Sequence, residues 1–446
     1  MHFLLVLFAI ATCFVVSFSM SSVAFGLFGY TMGVFLCAIL YKGDLRNKAI
    51  RIFSWVFTAY VLFTVFRYID IATHMTIFNK GFDETTFWRI SNEAIGKSFS
   101  EIINQDLLQR DVFLKEPLYW VYLHTLANIA ENFFDGNHIL LQLLGTSVIG
   151  AQISIFIVGL VNKYSNKHLE KKVLSFMFLT CVLIESLIIH RDVLMMMIYV
   201  LVIYISLCRK WSIFGFVVQL LMALAAFYIR EANGLFLLTL VFVNCYLHAG
   251  KASKVLLTIM VIGFAAALIT LVTYFYDTLI TLSDSYAEWD ELHDESSGIA
   301  VMFDQLPSPL RELARTFQGQ LYPLPLWIDI VNAKTFYGII IGFVSMVVAV
   351  YWFRLMAVSV RFSFVKIKEY DIKLFVFWCA CLLYILLNCM NADPRRMMAM
   401  YPIAYVIFLR AKDIIPRRSV KQFDKLVYGF VILLSIVYVF AKGGLS

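Results

Sequence analysis

LIIHRDVLMMMIYV, residues 187–200, joins two long apolar runs with only His190, Arg191 and Asp192 between them. Neither run has the alternation of a half-buried strand, and each is long enough for a helix across a bilayer. The rest of the chain repeats the pattern. Of 446 residues, 61% are hydrophobic and 15% charged, and the mean hydropathy is +0.81. A soluble protein of this length carries more charge. The fold class read from this is an all-α polytopic membrane protein, a single integral membrane domain over 1–446. A closed transmembrane barrel would need alternating segments, which are absent.

Spans are expected near 1–19, 22–41, 52–72, 139–161, 172–190, 192–208, 212–229, 235–249, 255–276, 337–354, 374–390, 397–410 and 426–441, about 13 in all. The first lacks a basic leader and is followed at once by a second, so it reads as a retained helix rather than a signal peptide. The eight cysteines fall in or beside apolar runs without a CxxC spacing. They read as small buried hydrophobes, not as a disulfide framework or metal ligands.

One set of connections, at 42–51, 162–172, 209–210, 248–254, 354–373 and 410–425, holds 23 of the 37 basic residues and 6 of the 30 acidic ones. By the positive-inside rule that set is cytoplasmic. Alternation then requires that 117–134, apolar enough to cross, does not. His124, Asn128 and Glu131 are spaced four and three apart and form one polar stripe on a helix. The segment therefore reads as an amphipathic interfacial or re-entrant helix. Two long loops, 73–138 and 277–336, fall on the outer side with the N-terminus cytoplasmic.

This topology brings three arginine motifs to the outer helix ends: HRD at 190–192, IRE at 229–231 and DPRR at 393–396. A charge at membrane depth is costly, and one that is kept there points to function. Arg191, Arg230, Arg395 and Arg396 present planar forks that match phosphate oxygens. Together they suit a polyprenyl-diphosphate headgroup, with His190, Asp192 and Glu231 in support. The alternative reading pairs Arg191 with Asp192, Arg230 with Glu231 and Arg395 with Asp393.

Asp83 and Glu84 stand among aromatics just past the third span. A carboxylate there is placed to act as general base toward an acceptor hydroxyl. KEPLYW, residues 115–120, offers Glu116 as a further base. Its Tyr119, with Trp120 and Tyr122, suits either the interfacial belt or sugar stacking. The acidic run 283–298 reads as a solvated face for acceptor binding or lid closure, and LRELARTF as a lid helix carrying Arg311 and Arg315. There is no Walker motif and no G-x-G-x-x-G, so a nucleotide-binding enzyme is not indicated.

GFDETTFWRISNEAI at 81–95, EPLYWVYLHTL at 116–126, HRDVLMMMIYVLVIYIS at 190–206, FYIREANGLFLL at 227–238 and DPRRMMAMYPIAYVI at 393–407 share a pattern. Together they resemble the bacterial polysaccharide repeat-unit polymerases, the Wzy-type and EpsG-like families, within the GT-C class of membrane glycosyltransferases. The resemblance covers roughly 60–410. It departs in having three spans before the first long loop, and IRE where a histidine is common.

The resemblance implies a GT-C-like fold in the bacterial cytoplasmic membrane. The reaction implied joins lipid-linked units into O-antigen, capsule or exopolysaccharide. The donor is a saccharide on undecaprenyl diphosphate and the acceptor a second lipid-linked unit. The four arginines hold the leaving diphosphate, and Asp83, Glu84 or Glu116 is the base. No cofactor, metal or nucleic acid is implied. Membrane lipid, a chain-length regulator and a flippase are expected partners. Two alternatives stay open: a transferase adding single sugars from a polyprenyl-phosphate donor, and a transporter or flippase of lipid-linked oligosaccharide. The transporter predicts charge at mid-bilayer and broken helices.

Overall fold

In the computed structural model, residues 2–74, 81–109, 116–133, 135–136, 138–248, 307, 310–321, 326–364, 371–388 and 394–443 are described. All regular structure among them is helical. The expected span 255–276 and the acidic run 283–298 lie outside the described residues. Among the described residues, five helices are long and apolar enough to cross a membrane: 20–40, 43–74, 139–164, 191–208 and 336–363.

The chain opens with α1 (His2–Ser17), α2 (Met20–Leu40) and α3 (Gly43–His74). Then come α4 (Gly81–Ser91), α5 (Phe99–Ile103), a π turn over Asn104–Leu108, and α6 (Pro117–Asn132). The central helix α7 (Ile139–Tyr164) is buried along most of its length and packs on α2, α3 and the later Arg191–Cys208 helix. Its run of Leu, Ile, Val and small residues is apolar all round, as a helix surrounded by others must be.

The expected span 172–190 is not one helix. It divides into α8 (Leu169–Leu179) and a single turn α9 (Val182–Glu185), with extended backbone at Thr180. Side chains from neighbouring helices take up main-chain carbonyls around the break. The Tyr60 hydroxyl donates to the Met177 carbonyl at 2.7 Å and the Ser147 hydroxyl to the Ser186 carbonyl at 2.8 Å. Such side-chain donors are what make a broken helix tolerable inside a bundle.

Next are α10 (Arg191–Cys208), α11 (Ile213–Ile229) and α12 (Glu231–His248). Arg230 alone links α11 to α12, and a Cβ at Gly234 would overlap the Phe227 backbone, so only glycine allows this hairpin to close. The described remainder is α13 (Leu310–Gln320), α14 (Ile328–Val331), α15 (Phe336–Ser363), α16 (Ile372–Leu387), α17 (Pro394–Met397), α18 (Tyr401–Ile414) and α19 (Arg417–Gly443).

Polar contacts gather at the two ends of the bundle. At one end Arg51 pairs with Glu170 at 2.8 Å, Arg209 donates to the Leu40 carbonyl at 2.9 Å, Lys163 donates to the Leu207 carbonyl, and Ser165 donates to Asp413. The described members of the basic connections meet there. At the other end, Thr335 caps α15 and donates to Asp70 at 3.2 Å.

Helix length sets the level of the arginine motifs. The Lys163 contact joins the basic ends of α7 and α10, which have 26 and 18 residues. At about 1.5 Å per residue, Arg191 sits about 12 Å below the far end of α7. The other helices ending at this level are also short, with 17 residues in α11 and 18 in α12. The arginine-bearing helix ends are therefore recessed relative to the end of α7, a floor against which Glu116 and Phe87 pack.

Candidate functional site

His190 is the residue before α10 and stands among the arginines at its start. Arg395 Nη1 lies 2.9 Å from His190 Nε2, and His190 Nδ1 lies 2.8 Å from Asp192 Oδ2. A guanidinium only donates, so Nε2 accepts and carries no proton. The ring proton is then on Nδ1 and goes to the Asp192 carboxylate. Asp192 N is 3.3 Å from the same Nδ1 and, with the proton there, makes no hydrogen bond to it. On its other oxygen Asp192 faces Arg230 Nη1 at 3.7 Å. Arg230, Asp192, His190 and Arg395, drawn from three motifs far apart in sequence, thus form one chain of contacts.

Arg191 pairs with Glu116, the residue before α6. Glu116 has φ +48°, in the left-handed region where a residue with a Cβ is strained, and its Oε2 is buried with no hydrogen-bond partner among the described residues. Such backbone persists where the surroundings hold it in place. The structure pairs Arg191 with Glu116, Arg230 with Asp192 and Arg395 with His190; Asp393, the sequence-local partner expected for Arg395, lies outside the described residues. The structure describes Arg396 through its carbonyl, 3.1 Å from the Tyr384 hydroxyl, which also lies 2.9 Å from Asn233 Oδ1. Glu231 opens α12 and is half-buried.

Glu84 lies deeper. Its carboxylate pairs with Arg67 Nη2 at 2.6 Å and accepts the Ile189 N–H at 3.1 Å. Burial pushes this carboxyl above the usual range, and Arg67 and the Ile189 N–H pull against that rise. The Asp83 side chain lies outside the described residues. Between Glu84 and the floor, Phe87 sets its ring edge-on to both Tyr119, at 4.9 Å, and His190, at 5.7 Å. The Tyr119 hydroxyl is buried with no partner among the described residues, and burial holds its pKa well up, so it remains a donor.

The polar stripe on α6 meets the segment before it rather than water. His124 Nε2 donates to the Ile90 carbonyl at 2.8 Å and Nδ1 meets Asp106. Asn128 donates to the Lys97 carbonyl, and Glu131 accepts the Gly96 N–H at 2.6 Å. Residues 90–106 are thereby fastened along α6. LRELARTF falls in α13, whose last residue, Gln320, accepts from Trp352 at 2.8 Å and lies 3.1 Å from Met397 Sδ. The expected lid helix thus ends against the residue after Arg396; the Arg315 side chain lies outside the described residues.

Sequence reasoning missed Arg67, which pairs with Glu84 and stacks near Tyr337. A lone arginine within the third apolar run was its signal. Asn233 and Tyr384, which brace the Arg230 and Arg396 main chain, left no such signal.

Chemically, the floor offers three guanidinium groups around one histidine–aspartate pair. Arg191 and Arg230 are partly exposed there, and Glu116 is more open than Glu84 or Asp192. Its side chain is 26% exposed, against 1% for Glu84 and 5% for Asp192. No protein-family model, no curated protein and no solved structure matches the chain.

Proposed function

We propose that this chain is a membrane glycosyltransferase that polymerises undecaprenyl-diphosphate-linked oligosaccharide units at the outer face of the bacterial cytoplasmic membrane. It would have about 13 spans in a GT-C-like arrangement. The observation that carries this reading is the convergence of Arg191, Arg230 and Arg395 on His190 and Asp192 in a recess at one end of the bundle.

A lipid diphosphate entering the recess would meet Arg191 and Arg230 first. Drawing Arg191 away would free Glu116, the less buried carboxylate, to take the proton of the acceptor hydroxyl. The acceptor oxygen then bonds to the anomeric carbon, and the carbon–oxygen bond to the diphosphate breaks. The electron pair leaves with the diphosphate, where fixed guanidinium groups stabilise the charge as it develops. Asp192 and His190 orient Arg230 and Arg395, and Tyr119 offers a hydroxyl to the saccharide. Glu84, paired with Arg67, holds the floor rather than moving a proton.

The test is turnover of lipid-linked units by purified protein. Arg191→Ala, Arg230→Ala and Arg395→Ala should each lose about 2–4 kcal/mol of transition-state stabilisation, roughly a thirty- to thousand-fold loss in rate. Arg→Lys should fall between, because lysine keeps the charge without the fork. Near-normal rates in all three alanine variants would remove the proposal.

One observation favours a second reading. The break between α8 and α10 and the depth of the floor are features that a transporter of lipid-linked oligosaccharide would use. Reconstituted vesicles distinguish the two. Product chains of graded length mean polymerisation, a single added sugar means a monophosphate-donor transferase, and translocation without new products means transport.

A further inference from the structure

At the basic end of the bundle, α8, α15, α18 and α19 enclose a pocket of about 550 Å³. Lys167, Lys171, Lys172, Lys412, Arg417 and Lys421 line it. Arg354 also reaches it but is neutralised by Asp424 through two bonds of 2.7 Å. Asp413 is the remaining acid, and it is engaged by Ser165. Six cationic side chains thus surround one carboxylate.

Some of these cations are held in place. Lys172 Nζ donates to Ser165, 2.5 Å from its hydroxyl and 3.2 Å from its carbonyl, and Lys412 Nζ sits 5.0 Å above the Phe408 ring. Like charges gathered in a half-enclosed space repel one another, and a bound anion relieves that repulsion. The wall is also apolar, through Tyr351, Phe408 and Leu409. A ligand that satisfies both halves has phosphate oxygens and an apolar body.

We infer that this pocket binds a phosphate-bearing anion, with the headgroup of an anionic phospholipid as the expected occupant. Lysine-rich pockets between membrane helices suit such headgroups, and lysine binds phosphate as a point charge without a fixed fork. The site is separate from the recess at the opposite end and stands whether or not the chain is a transferase.

Purified protein is placed in nanodiscs of phosphatidylcholine alone, or of equal parts phosphatidylcholine and phosphatidylglycerol, and melted. Phosphatidylglycerol should raise the melting temperature, and titrated into detergent it should do so saturably. Each removed cation should weaken the apparent affinity about fivefold. Lys412→Gln/Arg417→Gln/Lys421→Gln should therefore lose the response, and Arg417→Gln alone should show a reduced one. A cooperative melt in phosphatidylcholine shows that a variant is folded. Arg418→Gln/Lys425→Gln, outside the pocket, should respond like the parent. Inorganic pyrophosphate in detergent distinguishes the source: full stabilisation by it supports the anion site with a soluble ligand, and none supports the lipid. Equal melting in both nanodiscs and with pyrophosphate, or an unchanged response of the triple variant, overturns the inference.

Discussion

At the scale of single residues, the recess floor is built from charges that neutralise each other across sequence distance. Glu84 and Arg67 are a deeply buried charge pair, with side chains 1% and 7% exposed. Removing one member leaves the other buried and uncompensated, at a cost of about 3–5 kcal/mol. Glu84→Gln should therefore lower the melting temperature of the purified protein sharply. Arg67→Met/Glu84→Gln should recover most of the loss, because glutamine still accepts the Ile189 N–H and no charge remains. A double variant no more stable than Glu84→Gln would rule out charge compensation as the cause. Arg191, Arg230 and Arg395 were legible in the sequence because charge beside apolar runs is conspicuous. Their partners were not. Cross-pairing depends on which helix ends meet, and adjacency in sequence carries no information about that.

At the scale of elements, the stripe of His124, Asn128 and Glu131 was legible from spacing alone, and its destination was not. The stripe is polar because it receives main-chain groups of Ile90, Lys97 and Gly96, which have no ladder or helix of their own to join at those points. Replacing the stripe should release that segment while leaving the bundle intact. His124→Ala/Asn128→Ala is expected to speed limited proteolysis between residues 90 and 106, with unchanged cleavage at the basic end. Unchanged digestion of the segment would show that its apolar contacts suffice. The break at Thr180 was illegible for a related reason. An apolar run reads as a continuous helix, and the Tyr60 and Ser147 hydroxyls near the break come from other elements.

At the scale of the whole molecule, the polar contacts divide into two ends, and each fastens the N-terminal helices to the rest. Asp135 accepts the Ser21 N–H at 2.5 Å and the Ser19 hydroxyl at 3.1 Å, joining the start of α2 to the connection after α6. Burial raises its pKa, but the bonds from Ser21, Ser19 and the Met20 main chain outweigh that and leave it below the ordinary value. A depressed carboxyl adds stability above its unfolded pKa of about 4 and loses it as pH falls through the folded value. The melting difference between the parent and Asp135→Asn should hold steady from neutrality to about pH 4 and close below it. A difference that closed well above that would place the titrating group elsewhere.

The stagger of the helices has a consequence for ionic strength. Mobile ions screen charge over about 8 Å in physiological salt. The arginine floor is set back about 12 Å from the end of α7, and Arg191 and Arg230 are only 19% and 20% exposed, so mobile ions screen it less than an open surface. An anion held on the floor should therefore keep most of its affinity as sodium chloride is raised. An anion in the lysine pocket at the opposite end, where the cations stand nearer solution, should lose affinity steeply. Titrating pyrophosphate against parent protein, Arg191→Ala and the Lys412/Arg417/Lys421 triple variant at several salt concentrations separates the two. Parallel slopes for both sites would mean that the recess fills with electrolyte as freely as an open surface.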